Sequence, residues 1–189
     1  MITTESLGEP VFGTIMNVVI IYDDSASAAK TNAMLDKASH QAGEVALSDV
    51  KPWRVDLLNL PPTAAEALRE ATDAHLIVFA LRPAQSLPVG LLDWLERWAM
   101  QREVREAALA IFRDASGTAP SAPVVSELLR LTGRHGLNFI FDDSGSGQDE
   151  VADFVRGLRE REICMTSTLR QTLEQIMREP AQERWGINE

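Results

Sequence analysis

Cysteine is almost absent from this chain, with Cys164 as its one example. No intramolecular disulfide can form, and a cysteine-rich metal site is excluded. Cys164 follows the charged run Arg159–Glu160–Arg161–Glu162. No histidine stands in a recognisable relation to it, so it reads as a bystander rather than a nucleophile. Basic residues are also short in supply: 18 Lys and Arg face 28 Asp and Glu, for a formal net charge of −10. Nucleic acid and anionic membranes are poor partners for such a surface, because both need a basic footprint. Long apolar runs are missing as well, and none approaches the roughly 18 residues of a membrane span. Residues 1–10 are polar and acidic and lack the basic and apolar regions of a signal peptide. These features together fit a reduced, cytoplasmic setting.

What remains is an ordinary globular composition, 45% hydrophobic over 189 residues. That length suits one domain with a core of its own. We read residues 1–14 as a flexible lead-in, 15–160 as the domain, and 161–189 as a C-terminal helix and tail.

Apolar runs alternate with amphipathic stretches. Asn17–Tyr22, Trp53–Leu58, His75–Leu81, Ala107–Phe112 and Leu137–Phe141 are short and largely continuous in hydrophobicity, as strands buried on both faces are. Helix formers fill 25–40, where Ser25 or Ser27 is the expected cap. Thr63 and Glu66 match a capping box for a helix to about Ala71. Leu91, Leu92, Leu95, Trp98 and Ala99 make a helical stripe, with Trp94 and Trp98 expected in the core. Val124, Val125, Leu128, Leu129 and Thr132 make another, ended by Gly133 and Gly136. Val151, Phe154, Val155 and Leu158 mark a fifth helix, and about 167–178 a terminal one stopped by Pro180. His75 opens a strand and reads as structural, while His40 and His135 lie near helix ends. The alternation predicts an α/β fold: a three-layer α/β/α sandwich over a five-stranded parallel sheet of order 2-1-3-4-5, plus a C-terminal helix. In such sheets ligands bind beyond the carboxyl ends of the strands, near the switch between strands one and three. Loops 23–31, 82–88, 113–120 and 142–148 are therefore the informative ones.

The segment Leu81 to Leu95, with Pro83, Ser86, Pro88, Leu91, Leu92 and Trp94 beside Asp93, resembles the NAD(P)H-dependent FMN reductases of the flavodoxin-like superfamily. The order of elements resembles that family from about Asn17 to Leu158. The resemblance implies an oxidoreductase that passes hydride from NAD(P)H to bound FMN, and it implies a homodimer. It places the FMN phosphate at Ser25, Ser27, Lys30 and Thr31. It places the flavin ring at Arg82, Pro83, Gln85, Ser86, Ser116, Gly117 and Thr118. No acid–base dyad is needed, since the flavin carries the chemistry. The chain departs from the family at the phosphate loop, where Asp23 and Asp24 stand and glycine is lacking. The loop after the third strand also lacks an aromatic, with Gln85 about where one is expected.

The same edge supports two further readings. Asp23, Asp24 and Asp114, with Asp142 and Asp143, are hard-cation donors suited to Mg²⁺. The Asp23–Asp24 pair also resembles receiver domains of response regulators, yet Leu81–Arg82 stands where their phosphoacceptor aspartate would be, and Asp142 where their lysine would be. The alternative to a flavoprotein is thus a non-catalytic flavodoxin-like or receiver-like interaction module that has lost its cofactor. Arg82 is free, on either view, to pair with Asp23 or Asp114.

Overall fold

A computed structural model describes residues 16–42, 47–82, 86–88, 90–112, 118–141, 148–158 and 160. The elements are β1 (Met16–Tyr22), α1 (Ser25–Gln41), β2 (Leu47–Arg54), α2 (Pro61–Glu70), β3 (Leu76–Ala80), α3 (Leu91–Gln101), β4 (Ala108–Ile111), α4 (Ala122–His135) and β5 (Asn138–Phe141). Helix α5 follows over 148–158. The five strands form one parallel sheet in the order β2-β1-β3-β4-β5. This is the flavodoxin-like arrangement expected from the alternation. The lead-in 1–14 and the terminal helix near 167–178 lie outside the described residues.

Successive strand residues face opposite sides of the sheet, and the core accordingly divides in two. On one side Val19, Ile21, Ile77, Phe79, Leu109 and Ile111 pack against α2, α3 and α4. On the other, Val18, Ile20, Leu76, Val78, Ala108 and Ala110 pack against α1 and α5. Trp94 and Trp98 are both 0% exposed, in the core as expected. Each also finds an acceptor on α2 or its cap: Trp94 Nε1 donates to the Ala64 carbonyl at 3.0 Å and Trp98 Nε1 to the Ala71 carbonyl at 2.7 Å. Burying a tryptophan of about 200 Å² contributes on the order of 5 kcal/mol by area, so these two indoles are a large part of what holds α3 to α2.

Several local expectations change. The second strand is Leu47–Arg54, upstream of the expected Trp53–Leu58. Its Pro52 pairs opposite Ile20 on an edge strand, where a missing N–H is tolerated. Val55–Asn59 is instead a 3-10 turn that buries Val55 and Leu58. Helix α2 begins at Pro61 rather than at a Thr63 cap, because proline at the first helical positions needs no amide partner. Thr63 lies inside the helix, so the capping box does not form. Gly133 lies within α4, and Gly136 alone ends it, with φ of 64°. His40 and His135 do lie in the last turns of α1 and α4, where a histidine meets the negative end of the helix dipole. His75 is structural as expected: its Nδ1 accepts the Asn17 N–H at 3.4 Å, and its own N–H donates to the Asn17 carbonyl at 2.9 Å.

Candidate functional site

The carboxyl ends of β1, β3 and β4 open onto a small cleft of about 60 Å³. Leu81 and Ile111 come from the ends of β3 and β4. Leu87 and Pro88 come from the turn before α3, and Pro120 and Val124 from the start of α4. Two hydroxyls, Ser86 and Ser121, and one charged pair, Asp23 and Arg82, complete the lining. This is the switch between β1 and β3 that the sheet order singles out for ligand binding.

Asp23 and Arg82 join the two sides of that switch. Asp23 Oδ2 accepts the Arg82 backbone N–H at 3.0 Å and its Nε–H at 3.2 Å. The Arg82 side chain is 71% exposed, that of Asp23 only 21%. The other oxygen, Asp23 Oδ1, is buried and has no hydrogen-bond partner among the described residues.

The start of α1 is arranged differently from the sequence expectation. Asp24, not Ser25 or Ser27, is the N-cap: its backbone is extended, with φ of −137°, and its Oδ2 accepts from Ser27 N at 3.2 Å. The Ser27 hydroxyl also donates to Asp24 Oδ2, at 3.3 Å. Thus Ser27, one of the four residues expected to hold a phosphate, is engaged by a carboxylate of the chain itself. Ser25 and Lys30 are exposed on α1, whereas Ser27 and Thr31 are buried along the helix face that also carries Leu35 and Ala38. Thr31 lies nearly two turns into the helix, 7% exposed, away from the N-terminus where the phosphate is expected.

Of the residues expected at a flavin ring, Arg82 and Ser86 line the cleft. Thr118 is described and exposed but is not part of that lining. Pro83, Gln85, Ser116, Gly117 and the metal candidate Asp114 lie outside the described residues, as do Asp142 and Asp143. Among the described residues no group of three or more His, Cys, Asp or Glu side chains is placed to hold a metal ion. Asp23 and Asp24 are instead engaged with Arg82 and Ser27. Leu87, Pro120 and Ser121 were not singled out by sequence, and Pro88 and Val124 were named only for the family resemblance and for a helical stripe, not as cleft residues. Their residue types are those of any core or turn, and only the rule about strand ends pointed to their loops.

No family model matches this chain, and no curated protein matches it. Among solved structures it is similar to the azoreductase from Bacillus anthracis str. Sterne. The identity is 15% and the TM-score 0.40, over 76% of this chain and all of that one. The flavodoxin-like assignment rests on the strand order itself. Among the described residues, no helix is long and apolar enough to cross a membrane.

FMN, the cofactor that the sequence resemblance implies, divides into two halves at this site. The apolar walls of Leu81, Leu87, Pro88, Ile111 and Val124 suit a planar ring. The phosphate does not fit. Its place at the α1 N-terminus is taken by the Asp24 carboxylate, with Asp23 beside it in the sequence. A negative charge about 4 Å from a phosphate charge opposes it by about 4 kcal/mol at an effective dielectric of about 20. That exceeds the ~0.3–1 kcal/mol, at most about 2, which a helix dipole returns.

Proposed function

We propose that this chain is a flavodoxin-like binding module whose switch-point cleft takes up a small planar ring, with FMN no longer its resident cofactor. The observation that carries this reading is the capture of Ser27 N–H and Ser27 Oγ by Asp24, which fills the anion position at α1 with the chain's own carboxylate. The apolar lining of the cleft supports ring binding. The test is a parallel titration with FMN and riboflavin, following flavin fluorescence and melting temperature. Saturable riboflavin binding with FMN at least ten-fold weaker is the expected outcome. Failure of both to bind at about 100 μM would remove flavins as the ring and leave a module for a protein partner.

A second reading is the NAD(P)H-dependent FMN reductase-type oxidoreductase that the sequence resembles. The position of an apolar cleft at the ends of β1, β3 and β4 favours it. It requires FMN to bind more tightly than riboflavin, and then NAD(P)H oxidation by the loaded protein.

A further inference from the structure

We propose that the outer edge of β5, with the flank of α4 beside it, is the docking surface for this chain's own C-terminal amphipathic segment, residues 167–178. This surface is independent of what the switch-point cleft binds.

The two edges of the sheet differ. The outer strand β2 carries Asp49, Lys51, Pro52 and Arg54, with Lys51 paired to Asp49 at 3.5 Å. Charge and proline of this kind keep an edge from associating. The other outer strand, β5, reads Asn138–Phe139–Ile140–Phe141 and has neither. Asn138 N donates to the Ala107 carbonyl at 3.0 Å. Backbone direction alternates along a strand, so Phe139 and Phe141 turn their N–H and C=O groups away from β4. Their half-buried rings stack with centroids 6.4 Å apart, on the α4 side of the sheet. Leu129 continues this apolar strip. Arg134 of α4 pairs with Glu96 of α3, and Arg102 Nη2 donates to the His135 carbonyl at 3.0 Å, so one flank of α4 faces α3. At about 100° per residue, Val125 and Leu129 lie on the other flank, toward β5. Leu129 is 56% exposed there.

The reach of the chain selects the occupant. On the opposite face α1 lies on β1, β2 and β3, which leaves β4 and β5 to α5. Helix α5 returns along the sheet after β5, so residue 160 stands near the amino ends of the strands, beside the β5 edge. From Glu160 to Ser167 the chain spans at most about 25 Å, at ~3.5 Å per residue. Passing round β5 to the flank of α4 takes about 20 Å, with each helix layer ~10 Å from the sheet. The other exposed large apolar side chains among the described residues are Leu60 and Met100. Leu60 precedes α2 at the opposite end of the strands, and Met100 lies on α3, behind α4. Leu129 and the two Phe rings are therefore the exposed apolar surface within reach. The sequence supplies the matching partner. Leu169, Leu173, Ile176 and Met177 recur at helical spacing, and such a stripe is stable only against another apolar surface. A helix laid on an unguarded edge is also one way to protect it.

The test places a nitroxide at position 175, off the apolar stripe, in the full chain carrying Cys164→Ser and Gln175→Cys. Paramagnetic broadening of backbone amide resonances is then followed by NMR. Broadening at Val125, Leu129, Phe139 and Phe141, with Trp53 and Leu60 left sharp, is the expected result. Leu129→Asp should abolish most of it. A mixture of nitroxide-bearing chain with isotope-labelled chain lacking the nitroxide should show none. Broadening in the mixture would place the segment on a second copy, and broadening elsewhere or nowhere would leave the β5 edge to another partner. Either result overturns the proposal. In urea, Leu129→Asp and Leu173→Asp should each lower the midpoint, and the double variant should fall no further than the lower single one. Additive losses would overturn docking of one leucine against the other. Should Leu173→Asp fail to fold, the broadening pattern decides by itself.

Discussion

The indole of Trp98 donates to the carbonyl of Ala71 at 2.7 Å, across the junction between α3 and the end of α2. Trp98 is fully buried, and the Ala71 carbonyl also accepts the Ala74 N–H at 3.0 Å. Trp98→Phe therefore removes one bond without orphaning the carbonyl, and should cost about 1–2 kcal/mol from the lost hydrogen bond and the smaller ring. Trp98→Ala should cost about 3–5 kcal/mol. Urea denaturation of the two variants measures both values, and a Trp98→Phe loss as large as that of Trp98→Ala would contradict the partition.

Asp24 caps α1 and at the same time fills the anion position. The two roles separate by substitution. Asp24→Ser retains a capping oxygen and should change stability by less than about 0.5 kcal/mol, whereas Asp24→Ala should lose about 1 kcal/mol. Removal of the carboxylate should also raise FMN affinity at least ten-fold in Asp24→Ser. If fluorescence titration finds FMN affinity the same in wild type and Asp24→Ser, the carboxylate is not what opposes the phosphate.

Arg82→Ala should be nearly silent in thermal denaturation, a change within about 1 kcal/mol, because its guanidinium is largely in water. Asp23→Ala differs, since it leaves the Arg82 backbone N–H without its acceptor. The bond lies at the surface, where water can take over the N–H, so a loss of about 0.5–1.5 kcal/mol is expected there. Equal melting temperatures for the two variants would show that the backbone bond contributes little.

Two glycines at one helix end should respond in opposite directions. Gly133 lies within α4 and a Cβ there would meet nothing within 4 Å. Gly133→Ala should stabilise by up to about 1 kcal/mol. Gly136 also has open space, but its φ is 64°, so Gly136→Ala should destabilise by about 1–2 kcal/mol from backbone conformation alone. Paired melting curves give both signs in one experiment.

The strands at 17–22, 75–81, 107–112 and 137–141 were legible because each is a short apolar run between turn residues, and burial on both faces leaves that mark. The edge strand was not. Pro52 reads as a breaker in a linear chain and becomes acceptable only when a sheet edge leaves its missing N–H unneeded. The cap of α1 was misplaced by one residue from Ser25, because Asp, Ser and Thr are all good caps and only the chain's path selects Asp24.

Sequence alone determined the layer architecture, the strand order and the edge of the sheet where a ligand would lie, since these follow from hydrophobic period and from the handedness of parallel crossovers. It also flagged Asp23, Asp24 and Arg82, and even the option of a pair between Asp23 and Arg82. The tertiary structure alone decided what those groups do. Asp24 turns inward onto Ser27, and Asp23 reaches an amide 59 positions away. A carboxylate's effect depends on which donors lie within about 3 Å, and that distance is set by how two strand ends meet, not by their separation along the chain.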